Sequence, residues 1–117
     1  MKLSEILSEL KARVITGEEM IDELDFEYVT VSDLMSDILA LARPNMVLLT
    51  GLTTPQVVRT ADVVGIKAVI IVRRDRLPDE TIEMAKLSNI VLAITKMTMF
   101  EACGRLYSRG LKPIWEV

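Results

Sequence analysis

Residues 46–72 read MVLLTGLTTPQVVRTADVVGIKAVIIV, and the fold turns on how this stretch is parsed. The run at 46–50 is apolar without alternation, the pattern of a strand covered on both faces. Thr54-Pro55 reads as a helix start, a threonine N-cap followed by proline at the first helical position. The periodic segment that follows stops at Gly65, and KAVIIV at 67–72 is a second strand-like run, continuously apolar after Lys67. Strand, helix and strand in this order form a βαβ unit, whose crossover is right-handed and whose strands are parallel.

Outward from this unit the pattern repeats. A third apolar run, IVLAIT, occupies 90–95, and the runs are followed by amphipathic segments ending near 64, 87 and 109. Upstream, LSEILSELKA at 3–12 places Leu3, Ile6, Leu7 and Leu10 on one helical face. RVIT at 13–16 is β-prone and closed by Gly17. A strand is expected at 26–31 and a helix over LMSDILALA at 34–42, with Ser32 or Asp33 as its cap and Pro44 as its stop. LKPIWEV at 111–117 reads as an edge strand, because Pro113 cannot donate to a central ladder. The reading is a compact single-domain α/β sandwich over 1–117 with a mostly parallel sheet.

Composition narrows the function classes. The chain has 117 residues, half of them apolar, enough for one domain with a real core. No apolar run reaches the roughly 18 residues of a membrane span. The start, MKLSEILSEL, carries acids and no continuous apolar core, so it does not read as a signal peptide, and a cytoplasmic protein is expected. Net charge is −3 and the basic cluster RRDR at 73–76 is short, which argues against nucleic-acid binding. There is no histidine and one cysteine, so neither a hydrolase triad nor a thiolate zinc site is supported, and no metal or cofactor is expected. Asp33 and Asp37, four apart, could share a cation or a proton, or face water. Cys103, inside the last helix beside Gly104, reads as a small core residue, with a redox-sensing thiol as the alternative. The scattered methionines read as core filler.

In a parallel sheet the strand-to-helix turns gather at the carboxyl ends of the strands, where ligands bind in open α/β folds. Here they are TGLTTP (50–55), RRDRLPDE (73–80) and TKMT (95–98). One reading is structural: Thr54 caps before Pro55, Asp79 and Glu80 complement the helix dipole, and Thr98 with Glu101 forms a capping box. The other uses the same atoms for an anion. Gly51 permits close approach, Thr50, Thr53 and Thr54 supply hydroxyls, and Thr98 lies across the gap. Thr50, Gly51, Thr53, Thr54 and Thr98 are therefore the candidate ligand-binding residues. TGLTTP is neither a Walker loop, since no lysine follows, nor a GxGxxG loop.

VSDLMSDILA (31–40), LLTGLTTPQVVRTADVVGIKAVIIV (48–72) and TKMTMFEACGRLYSRGL (95–111) resemble the small stand-alone DRTGG-domain proteins of anaerobes and thermophiles, often encoded near iron-only hydrogenase subunits. The resemblance runs from about residue 3 to 112. It implies a fold like the amino-terminal domain of HPr kinase/phosphorylase, an accessory unit that assembles subunits or accompanies a regulatory module. The family's Gly-Asp-Arg is replaced here by Gly51-Leu52-Thr53, and its Thr-Gly-Gly by Val72-Arg73-Arg74. Thr50-Gly51 and the Thr98 helix start match. A kinase activity is not implied, because that activity belongs to a P-loop domain absent from these residues.

Two functions are expected. One is a non-catalytic regulatory or assembly module working as a homodimer, with a redox enzyme as partner by family context. The alternative is a sensor of an adenine nucleotide or another phosphorylated metabolite, bound at the turns.

Overall fold

The computed structural model describes residues 1–41, 43 and 45–114. Pro44 and residues 115–117, for which a helix stop and the end of an edge strand are expected, lie outside the described residues. Among the described residues, five helices, α1 (Leu3–Glu9), α2 (Met35–Leu41), α3 (Pro55–Val64), α4 (Asp79–Ser88) and α5 (Met99–Ser108), accompany six strands. These are β1 (Arg13–Thr16), β2 (Tyr28–Val31), β3 (Met46–Thr50), β4 (Ala68–Val72), β5 (Val91–Thr95) and β6 (Lys112–Pro113), and the acidic segment 18–23 is a 3-10 helix.

The sheet order is β1-β5-β4-β3-β2-β6. All pairings are parallel except β1 against β5. Every residue of β3, β4 and β5 is buried, as the unbroken apolar runs require. Their side chains divide by parity. Val47, Leu49, Ala68, Ile70, Val72, Val91 and Ala93 face α1 and α5. Leu48, Val69, Ile71, Leu92 and Ile94 face α2, α3 and α4 through Ile38, Val57, Val58, Ala61 and Ala85. Met46 is buried, and the other six methionines pack against one core or the other, as filler.

Chain direction explains the two layers. β2 to β5 advance one strand at a time, so crossovers of one hand place α2, α3 and α4 on one face. From β5 the chain returns past β2 to β6, and the same hand places α5 on the opposite face. β4 and β5 are therefore adjacent strands whose following helices leave to opposite sides.

Helix ends share one device. After α1, Lys11 at φ 51° lets Ala12 N–H donate to Leu7 and Lys11 N–H to Ser8. This Schellman pair ends the helix before the expected residue 12, with lysine where glycine usually signals the stop. Gly65, Asn89 and Gly110 play the same part after α3, α4 and α5, donating to Asp62, Lys86 and Tyr107. β2 is shorter than expected because Phe26 is buried in the α1–α5 core rather than paired in the sheet.

The antiparallel edge carries a bulge between Val14 and Thr16. There the buried Thr16 hydroxyl donates to the Ile90 carbonyl (2.8 Å) and accepts from Leu92 N–H (3.1 Å), replacing ladder bonds that the bulge breaks. Thr16→Val keeps the shape and removes both bonds. It is expected to cost about 1–3 kcal/mol in a urea unfolding curve, the range for orphaned buried polar groups; an unchanged midpoint would show that the bulge needs no such patch.

Candidate functional site

The end of β3 and the turn after it carry four of the five candidate residues, and two of them share one carboxylate as partner. Asp33, in the loop between β2 and α2, accepts the Thr50 hydroxyl (2.9 Å) and Gly51 N–H (2.7 Å) on one carboxylate oxygen. Gly51 has no positive φ; it matters because a Cβ there would meet Asp33 Oδ2 at 3.4 Å. The anion beside the Gly51 amide is thus the chain's own carboxylate. Thr53 contributes its carbonyl, which accepts the Thr81 hydroxyl (2.5 Å) and ties this loop to α4. Thr54 is the N-cap by backbone conformation, but its hydroxyl makes no capping bond. The expected side-chain cap is replaced by Pro55, which removes one orphan N–H, and by the Thr54 carbonyl, which accepts Val57 N–H.

At α5 the cap is made as expected on one side only. The Thr98 hydroxyl accepts Glu101 N–H (3.3 Å), while the Glu101 carboxylate turns to Arg105 (2.9 Å) instead of closing the capping box. Ser32 accepts Leu34 N–H (2.9 Å) ahead of α2, leaving Asp33 free to reach β3.

Beyond Gly51 the carboxyl edge becomes cationic. Arg73 N–H donates to the Met97 carbonyl (3.0 Å) and Arg74 N–H to Thr95 (3.2 Å), so the loops after β4 and β5 are tied backbone to backbone. The Arg74 guanidinium donates to the carbonyls of Gly51 (3.1 Å) and Arg73 (3.0 Å). Arg73 itself sits at φ 56°, a left-handed conformation that a non-glycine residue seldom adopts. Three shallow hollows adjoin along this edge. One of about 290 Å³ lies between Asp33, Gly51, Arg73, Thr98 and Phe100. One of about 400 Å³ is lined by Arg73, Arg74, Asp75, Lys96 and Thr98. The third, about 380 Å³, adds Lys11 and Arg13.

A second feature lies on α5. Phe100 and Tyr107 are 91% and 74% exposed, one on each side of Cys103 and Gly104. With Val29, Val31, Leu41 and Ile114 they border a mostly apolar groove of about 580 Å³ between α5 and the β2–β6 edge. Cys103 is half-buried: it packs on the α1–α5 core and lines this groove, so it is less enclosed than the sequence led us to expect. Burial pushes its thiol pKa up, favouring the protonated form. Asp37 lines the groove, while Asp33 is bound to β3, so the pair does not act together. Among the described residues, no group of three potential metal-ligating side chains gathers anywhere, and no helix is long and apolar enough to cross a membrane.

Sequence reasoning singled out Asp33 as a cap or as a partner of Asp37 and missed its contact with Thr50 and Gly51, and it did not single out the cations Arg73, Arg74 and Lys96 that line the edge. The Asp33 contact spans 17 residues, beyond any local motif. The cations were visible in the turns RRDRLPDE and TKMT, but RRDR was weighed only against nucleic-acid binding. The resemblance held one clue, since its glycine-containing motif falls where Arg73 takes a positive φ.

Two expectations follow. Asp33→Ala should lose about 1–2 kcal/mol of stability, as charge-assisted bonds to Thr50 and Gly51 go. Thr54→Ala should stay within about 0.5 kcal/mol, since no side-chain bond is removed; denaturant midpoints of the two variants check both. The raised Cys103 pKa means that the folded chain holds this proton more tightly than the unfolded one. Its contribution to stability is therefore present below the unfolded thiol pKa and fades as pH rises through the folded value. Thiol-reagent labelling of the folded protein should accordingly reach its half-maximal rate at higher pH than in urea, and equal profiles would contradict the burial.

No family model and no curated protein matches the chain. Among solved structures, it is similar to the CBS and DRTGG domains of the regulatory region of Clostridium perfringens pyrophosphatase, in complex with the activator diadenosine tetraphosphate. The TM-score is 0.71 at 21% sequence identity, and the match covers 95% of this chain and 47% of that one. The chain spans about half the length of that structure, and the likeness establishes a DRTGG-like α/β fold.

Proposed function

We propose that the chain is a non-catalytic regulatory or assembly module that works as a homodimer. The observation that carries this reading is the α5 groove. A large apolar hollow with an almost fully exposed phenylalanine on its rim is a surface that water penalises and a partner relieves. Knob and hollow lie side by side on one helix. A two-fold pairing of two copies would set each Phe100 into the other's groove, the self-complementary arrangement that isologous dimers require. The likeness in fold to part of a pyrophosphatase regulatory region supports an accessory role. The resemblance to the hydrogenase-associated proteins supports membership of that subgroup, a cytoplasmic setting and a redox enzyme as the regulated partner.

A second reading, a sensor of a phosphorylated metabolite or adenine nucleotide at the strand-to-helix turns, is favoured by the cationic hollows at the carboxyl edge. It also draws on the nucleotide activator in the similar structure. Thr98 lines two of these hollows and Gly51 one, so both remain proposed contacts, with Thr50, Thr53 and Thr54 shaping the loop beside them. The two readings are compatible.

Sedimentation velocity at tens of micromolar tests the first. The wild-type chain should run as a dimer and Phe100→Glu as a monomer with an unchanged circular dichroism spectrum. A monomeric wild type, or a dimer indifferent to substitutions at Phe100 and Tyr107, would remove the basis for the homodimer.

A further inference from the structure

Among the described residues, the cationic edge lies where this topology makes the crevice of an open α/β sheet. α4 leaves β4 toward the core that contains Ala85, and α5 leaves β5 toward the core that contains Ala102 and Leu106. Between adjacent parallel strands whose helices part in this way, the turns splay and a ligand site opens outside the carboxyl ends. The turns that border this gap are the loop holding Arg73 and Arg74 and the loop holding Lys96 and Thr98.

Charge at the gap opposes that of the whole chain. The three adjoining hollows are lined by Lys11, Arg13, Arg73, Arg74 and Lys96 against Asp33 and Asp75, in a protein of net charge −3. Among the described residues, no carboxylate lies within salt-bridge distance of Arg73, Arg74 or Lys96. Asp33 is bound to Thr50 and Gly51, and the nearby Glu101 is bound to Arg105. Arg74 is held in place by two carbonyls, which orient its guanidinium without neutralising it. Arg73 is presented from a strained positive-φ position pinned to Met97, and such outliers gather where a side chain must be aimed.

We propose that this crevice between β4 and β5 binds a small phosphoanion of two or more phosphoryl groups, with Arg73, Arg74 and Lys96 as the residues that take its charge. The inference rests on the sensor reading and deepens it, placing the anion over the β4–β5 gap and away from the Gly51 amide. Arg and Lys supply the charge-assisted donors that phosphate oxygens take. Adjacent strands lie about 4.8 Å apart, so cations on two neighbouring turns span more than one phosphoryl group. Asp33 at one end and Asp75 between the other two hollows disfavour a longer anionic polymer running through.

The test is an NMR titration of the 15N-labelled protein with inorganic tripolyphosphate and, separately, with ATP, both without magnesium. Amide shifts should concentrate at 73–75 and 96–100 with each. Arg73→Ala/Lys96→Ala should weaken binding at least tenfold, while Lys86→Ala, which removes one charge from α4 outside the crevice, should change it less than twofold. Equal affinity for the two anions would mean that the phosphates alone are read, and tighter ATP that the nucleoside adds contacts; both support the site. Shifts mapping to 51–54 with binding unaltered in the double variant would overturn this placement and leave the sensor reading standing. No shifts with either anion at millimolar concentration would overturn both. If the double variant does not fold, the wild-type shift map alone decides.

Discussion

Three central strands buried on both faces are the constraint from which the rest of the structure follows. β3, β4 and β5 expose no residue to water, so two layers of helix must cover them. A parallel sheet meets that demand only through crossovers of one hand, and these assign α2, α3 and α4 to one face and α5 to the other. The carboxyl-edge crevice is a consequence of that assignment. The groove on α5 is another: α5 shares its face with α1 and the short 3-10 helix, and its flank beyond Phe100 and Tyr107 has the two-residue β6 for a neighbour.

What the sequence made legible was set by range. Unbroken apolar runs at 46–49, 68–72 and 90–94 announce buried strands, and Thr-Pro, Gly65 and Thr98 punctuate the helices, because strand burial and helix ends are encoded within a few residues. Helix ends written in lysine or asparagine were less legible. Lys11 and Asn89 adopt the left-handed conformation that glycine would have advertised. Strand order lay beyond local pattern altogether, since β1 pairs with a strand more than seventy residues away. Cys103 was legible on one side only, for a related reason: its helical position fixed the face that packs on the core, but the groove on its other side exists only once β2 and β6 are in place.

The corner after β3 shows how a structural and a functional reading of the same atoms can be separated. Gly51 N–H and the Thr50 hydroxyl point at an anion, as a phosphate loop would, and the anion is Asp33. A charged acceptor supplied by the chain satisfies these two donors and repels a second anion at close range. One strand further on, the balance reverses. Arg73 holds a conformation that costs a non-glycine residue about 1–2 kcal/mol, and among the described residues no carboxylate lies within salt-bridge distance of it. The β3 corner is internally satisfied, whereas the β4 corner keeps both strain and uncompensated charge.

Phe100 connects the two surfaces. It lines the hollow beside Asp33 and Arg73 and also the apolar groove on the flank of α5. Thr98, two residues earlier, lines the cationic crevice. The first turn of α5 therefore belongs to both, and a rotation of that turn cannot alter one surface without altering the other. If a phosphoanion and a second subunit each favour one setting of this turn, their binding free energies are coupled, and linkage makes the effect equal in both directions. A ligand that tightens the dimer by some factor is itself bound more tightly by the dimer in the same proportion. A regulatory module needs no further machinery than such a shared turn, because the chemistry it controls can reside in another domain or another chain.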